Sequence, residues 1–171
     1  MSVLTAAVMS LLAPEALFIL GGKKYLEALP IIPSLVFGIF LSSFYYIFSN
    51  IEFLYEKTKG IFLITLGGSI LNVGLNFIFI PMYGYIAAAY TTVIGYAFIA
   101  LCHYIVSRKI VGKDIYDIKN IMLYVLFLII VSVLSIWLYN YLILRYIVIV
   151  LLLGVLAITF LKTKKGKECN S

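Results

Sequence analysis

Residues 60–107 form a long run that contains no Asp, Glu, Lys or Arg. A transmembrane helix needs about 20 consecutive apolar residues, so this run is too long for one membrane span and long enough for two. A cluster of residues typical of turns, Pro81-Met82-Tyr83-Gly84, interrupts the run near its middle. We therefore predict two membrane-spanning helices, over 60–80 and 85–107, that form an antiparallel hairpin.

The composition places the whole chain in the same class. Hydrophobic residues make up 64% and charged residues 12% of the 171 residues, and the mean hydropathy is +1.14. Soluble domains are about 45–50% apolar and about 25% charged. So low a charged fraction excludes a soluble globular domain, and so high an apolar fraction excludes a disordered chain. The two cysteines are too few for a disulfide-rich secreted scaffold.

Four further apolar segments complete a predicted all-α membrane bundle of six transmembrane helices in a single membrane domain, 1–171. They lie at 2–20, 30–50, 120–139 and 141–161, and a basic tail follows at 162–171. Helices are favoured over membrane strands because these segments are far longer than a barrel strand of about 10 residues. The first segment is predicted to be a span and not a cleaved signal peptide, because no Lys or Arg precedes Lys23.

The basic residues are distributed unevenly between the two sides of this six-span arrangement. The side that includes both chain ends holds ten of the 13 basic residues: Lys57, Lys59, Arg108, Lys109, Lys113, Lys119, Lys162, Lys164, Lys165 and Lys167. The other side holds Lys23, Lys24 and Arg145. Because basic loops are cytoplasmic, we predict a multi-pass protein of the cytoplasmic membrane with both termini in the cytoplasm. The net charge of +6 then reflects loops that face anionic lipid headgroups, and no nucleic-acid partner is expected.

Three Asp, Glu, Lys, Arg or His side chains fall within the predicted spans, where such groups are functional candidates by default. Glu15 is interpreted either as a proton or cation site in a cavity, or as an interfacial residue whose carboxylate reaches headgroup water. Arg145 is expected to extend its guanidinium to the interface. His103 has no carboxylate beside it in the sequence, so an interfacial histidine is favoured over a metal or proton site.

The sequence contains no Ser-His-Asp, Cys-His or clustered-carboxylate arrangement and no metal-ligand spacing. We therefore predict that the protein is not an enzyme and has no catalytic residues, no cofactor and no metal site.

Asn72 and Asn76 are four residues apart, which places both amides on one face of a helix, and Gly68 extends that face by one turn. A small, polar face of this kind permits close helix packing and interhelical hydrogen bonds. The alternative is that the two amides line a polar cavity between two helix bundles.

Residues 71–92 resemble a segment of bacterial polysaccharide flippases, which belong to the multidrug/oligosaccharidyl-lipid/polysaccharide exporter superfamily. In those proteins a span with paired asparagines, here Asn72 and Asn76, ends in Ile-Pro-x-Tyr-Gly, here residues 80–84, before a small-residue segment. Two further regions are similar to family features: the stretch from Leu12 to Ala28, and the basic loop at 56–60.

The resemblance implies the C-terminal part of a flippase that moves polyprenyl-diphosphate-linked oligosaccharide across the cytoplasmic membrane during polysaccharide biosynthesis. Family members have two helix bundles around a central cavity, so the expected partners are membrane lipids, the lipid-linked glycan and the missing N-terminal bundle. Candidate cavity or packing residues are Asn72, Asn76, Gly68 and Glu15. The alternatives are a multidrug or small-molecule exporter of the same superfamily, and a non-transporting membrane protein that packs against a partner.

Overall fold

The structure, a computed structural model, describes residues 2–112 and 116–168. Within these residues the chain is helical and contains no strand, which confirms the predicted all-α class. The helices are α1 (Ser2–Leu11), α2 (Ala13–Gly21), a 3₁₀ helix (Lys23–Ile31), α3 (Ile32–Leu54), α4 (Thr58–Tyr83), α5 (Tyr85–Val111), α6 (Ile118–Leu138) and α7 (Leu142–Glu168).

Among the described residues, five helical segments are long and apolar enough to cross a membrane: Lys23–Leu54, α4, α5, α6, and α7 as far as Phe160. The bent pair α1–α2 is a sixth if its two helices form one span. Large apolar side chains cover the outside of these helices, and Phe77 on α4, for example, is 83% exposed. Contiguous apolar surface of this extent is unstable in water, so its natural solvent is the hydrocarbon of a bilayer.

The segment predicted as one span over 2–20 is bent, because α1 and α2 meet at Leu12 at an angle of 59°. Pro14 explains the break: it has no N–H to donate to the carbonyl of Ser10, four residues earlier. The Tyr139 hydroxyl donates to that carbonyl instead, at 2.7 Å. A side chain distant in sequence thus satisfies the backbone group that the proline leaves without a partner.

The chain divides into two compact units, and the first comprises residues 2–33 and 124–168 of the described chain. Its apolar core lies where α1, α6 and α7 meet, and it is built on Leu11, Leu138 and Ile149. The second unit, Ser34–Leu123, contains α4, α5 and nearly all of α3.

The hairpin of α4 and α5 turns at Gly84, whose φ is 67°. Glycine adopts this left-handed backbone conformation at no steric cost. The Gly84 N–H donates to the Ile80 carbonyl at 2.8 Å, so α4 continues through Pro81 to Tyr83, three residues beyond the end of the predicted span.

Residues 116 and 117, just before α6, contact α3 and cap the N-terminus of α6. The Tyr116 hydroxyl donates to the Ile47 carbonyl at 3.1 Å, and its ring packs edge-on against Phe48. Burial raises the pKa of the Tyr116 hydroxyl above its usual value. Asp117 Oδ1 accepts a hydrogen bond from the Lys119 N–H at 3.1 Å, so this aspartate serves as the N-cap of α6.

Candidate functional site

The α4–α5 hairpin contains a short chain of polar side chains. Asn72 Nδ2 donates to the Thr91 carbonyl at 3.2 Å, and Asn76 Nδ2 donates to Asn72 Oδ1 at 2.7 Å. The Thr91 hydroxyl lies 2.5 Å from Asn76 Oδ1. The structure therefore brings both asparagines to the α4–α5 interface, where they form hydrogen bonds with each other and with α5.

Small residues let the two helices approach closely around this network. A Cβ atom on Gly68 would overlap the Ile99 side chain, and one on Gly95 would lie 3.1 Å from Asn72 Nδ2. Gly68, singled out in the sequence, thus contacts α5 on the same face as the two asparagines. The Asn72 amide occupies the space that Gly95 leaves open.

A groove of about 290 Å³ adjoins the network on the outside of the hairpin. It is lined by Phe79, Tyr83, Ile86, Ala87, Tyr90, Thr91 and Ile94. Thr91 is therefore shared between the polar network and the groove, whose other lining residues are apolar or aromatic.

His103 is not the isolated interfacial histidine that the sequence predicts. Its Nδ1 lies 2.5 Å from Oε1 of Glu52 on α3, and both residues are 0% exposed. The prediction failed because the partner is 51 positions away in the sequence, just past the end of a charge-free run.

A spacing signal for this pair does exist in the sequence. On α3, Phe40, Phe44, Phe48 and Glu52 recur every four residues, and all are buried. On α5, Gly95, Ile99, His103 and Ser107 recur in the same way and are also buried. Glu52 and His103 each occupy a position in a buried row on one helix face. A charged or titratable side chain at such a buried position needs a polar partner.

In the first unit, Glu15 and Arg145 form an ion pair between Oε1 and Nη2. The Tyr146 hydroxyl also donates to Glu15 Oε1, at 2.8 Å. The residue Arg145 is only 3% exposed, whereas the Glu15 side chain is 31% exposed. The expectation that Arg145 extends to the interface is therefore wrong, because a carboxylate within the protein compensates its charge.

The candidate site residues belong to both units. Gly68, Asn72 and Asn76 lie together in the second unit, and Glu15 belongs to the first. Over residues 2–112 and 116–168, no group of three or more His, Cys, Asp or Glu residues is arranged to hold a metal ion.

The long apolar helices, with their internally paired polar side chains, define a multi-pass helical membrane protein. No protein-family model, no curated protein and no solved structure matches the chain.

Proposed function

We propose that the chain is the C-terminal part of a flippase that transfers polyprenyl-diphosphate-linked oligosaccharide from the inner to the outer leaflet of the cytoplasmic membrane. The observation that carries the proposal is the hydrogen-bonded chain of Asn72, Asn76 and Thr91 between two apolar helices. It lies within residues 71–92, the segment whose sequence resembles bacterial polysaccharide flippases.

The physical setting of the network supports a role beside a lipid-linked substrate. Polar side chains within a bilayer are costly and are retained where they hydrogen-bond or serve a function. Thr91 belongs both to the network and to the wall of the apolar groove, so the hydrogen-bonded side chains lie directly behind an apolar surface. A surface of this kind suits the long apolar tail of a lipid-linked glycan.

Transport by alternating access needs a second helix bundle, because one bundle moves against another around a shared site. We therefore propose that the chain functions together with an N-terminal bundle of the same transporter.

The test is deletion of the gene in its native host, followed by analysis of lipid-linked glycan in the two leaflets. Loss of the chain should cause the glycan to accumulate in the inner leaflet. The wild-type chain should restore export, and an N72L/N76L variant should not. A matched control is Ser69→Leu, on an exposed face of α4, which should restore export.

Two results would contradict the proposal. Absence of glycan accumulation after deletion would reject the flippase function, and full export by N72L/N76L would reject the role of the asparagines.

A second candidate is an ion-coupled exporter of small molecules. The buried Glu52 favours it, because this function calls for an acidic residue within the membrane helices, and the sequence alone indicates only Glu15. Deletion would then increase sensitivity to exported compounds and leave the glycan distribution unchanged.

A further inference from the structure

Glu52 and His103 form another polar site in the second unit, separate from the asparagine network. The flippase function proposed above does not use this site. The imidazole Nδ1 and the carboxylate Oε1 are 2.5 Å apart, and both side chains are 0% exposed. We propose that this pair is a proton-binding site, which holds one exchangeable proton between α3 and α5.

The charge balance of the pair explains why one proton is the preferred number. With Nε2 of His103 protonated and one further proton between Oε1 and Nδ1, the pair is neutral overall, whether that shared proton is bonded to oxygen or to nitrogen. Removal of the shared proton to a water-borne base leaves a glutamate beside a neutral imidazole, with one net negative charge. Addition of a proton at Glu52 Oε2 leaves a neutral carboxylic acid beside an imidazolium, with one net positive charge. An uncompensated charge in a buried site is strongly unfavourable, so the state with one shared proton is favoured over both.

The second atom of each group has no hydrogen-bond partner among the described residues. These atoms are Glu52 Oε2 and His103 Nε2. Oε2 points toward the first turn of α4, where a Cβ on Gly60 would lie 3.1 Å away. The pair therefore has its proton-sharing contact on one side, and on the other side neither group has a hydrogen-bond partner among the described residues.

The Tyr45 ring and the backbone at Gly60 lie against the pair. The Tyr45 ring of α3 lies beside the imidazole, with 5.0 Å between ring centroids, and Gly60 of α4 lies beside the carboxylate. The charged residues that are close to the pair in sequence are exposed: Glu56, Lys57, Lys59, Arg108 and Lys109.

The chain contains one histidine, so nuclear magnetic resonance can observe this site without ambiguity. The full chain is labelled with ¹⁵N-histidine and reconstituted in lipid nanodiscs, and the exchange of the imidazole N–H protons with water is measured. In the wild type we expect the Nδ1 proton to exchange about 10-fold more slowly than in the near-isosteric variant Glu52→Gln, because a charge-assisted hydrogen bond is stronger than a neutral one.

The swapped variant E52H/H103E provides the matched control, since it also contains a single histidine. It should recover the slow proton exchange that E52Q loses, which a role in packing alone does not require. Equal exchange rates in the wild type and E52Q would overturn the proposal, and so would an imidazole proton in the wild type that exchanges with water as fast as that of a free histidine. Neither result depends on whether the chain moves a glycan.

Discussion

Arg145 illustrates how a permanent charge is accommodated in an apolar helix. Arginine does not lose its proton in proteins, so a buried guanidinium needs a partner. Glu15 supplies the opposite charge, and the Tyr146 ring lies 5.3 Å from the Arg145 Cζ, within the range of a cation–π contact. The two members of the ion pair differ in exposure, and this difference has a measurable consequence.

We predict that Glu15→Gln destabilises the protein more than Arg145→Met does. The first change leaves a buried guanidinium without its counter-charge, which costs about 3–5 kcal/mol. The second leaves a carboxylate whose side chain is 31% exposed and still accepts a hydrogen bond from Tyr146. The free energy of unfolding in lipid bicelles measures both.

The double variant E15Q/R145M serves as the control for this pair. It should regain much of the stability that E15Q loses, because no unpaired charge remains. Equal losses in the two single variants, or a larger loss in R145M, would show that the pair does not determine the stability of this region.

The sequence locates these polar residues but does not identify all of their partners. The spacing of Asn72 and Asn76 places them on one face, because four residues are about one helical turn. The pairs Glu52–His103 and Glu15–Arg145 instead join residues 51 and 130 positions apart. Helical periodicity within one segment does not specify which distant helix its face will meet.

At the scale of the helical elements, the α4–α5 hairpin depends on close approach at Gly68. We predict that Gly68→Ala destabilises the hairpin by about 1–3 kcal/mol, because the new methyl group overlaps Ile99 and the helices must separate or repack. The control is Gly74→Ala on the same helix, where a Cβ meets nothing within 4 Å. That change should stabilise α4 by about 0.5–1 kcal/mol, since alanine loses less backbone entropy.

Thermal unfolding of the two variants in the same detergent separates these effects. A decrease in Tm for G68A together with an increase for G74A is expected. Similar shifts in both would mean that helix propensity, and not the contact with Ile99, governs position 68.

The break between α1 and α2 provides a second test at this scale. Tyr139→Phe removes the hydroxyl that donates to the Ser10 carbonyl and leaves the ring in place. We predict a loss of about 1–3 kcal/mol in the free energy of unfolding, the cost of an unsatisfied buried polar group. The control is Tyr141→Phe, at an exposed tyrosine beyond the end of α6, which should change the stability little. Equal effects of the two substitutions would contradict this role of Tyr139.

The elements are largely predictable because apolar length and turn residues are local properties of the sequence. The hairpin turn at Gly84 follows from the turn-forming cluster 81–84. The 59° bend at Leu12 is harder to predict, because a proline in an apolar segment can be kept within a nearly straight span or can break it. Here the Tyr139 hydroxyl, from a distant part of the chain, supports the broken form.

At the scale of the whole molecule, that bend determines how many times the chain crosses the membrane. If α1 and α2 form one broken span, the chain crosses six times and both termini lie on one side. If they form a re-entrant loop, five crossings remain and the N-terminus lies on the same side as Lys23. The uneven distribution of basic residues favours six crossings with cytoplasmic termini.

Cysteine labelling of intact cells tests this topology, with Cys102 and Cys169 first replaced by serine. We predict that a membrane-impermeant thiol reagent reaches Lys23→Cys from outside, because this position lies beyond the external end of the first span. It should reach Ser2→Cys and Lys57→Cys only after the membrane is permeabilised. External labelling at both Ser2 and Lys23 would identify α1–α2 as a re-entrant loop. External labelling at Lys57 would instead invert the orientation, and the proposed direction of glycan transfer would no longer follow from the chain's topology.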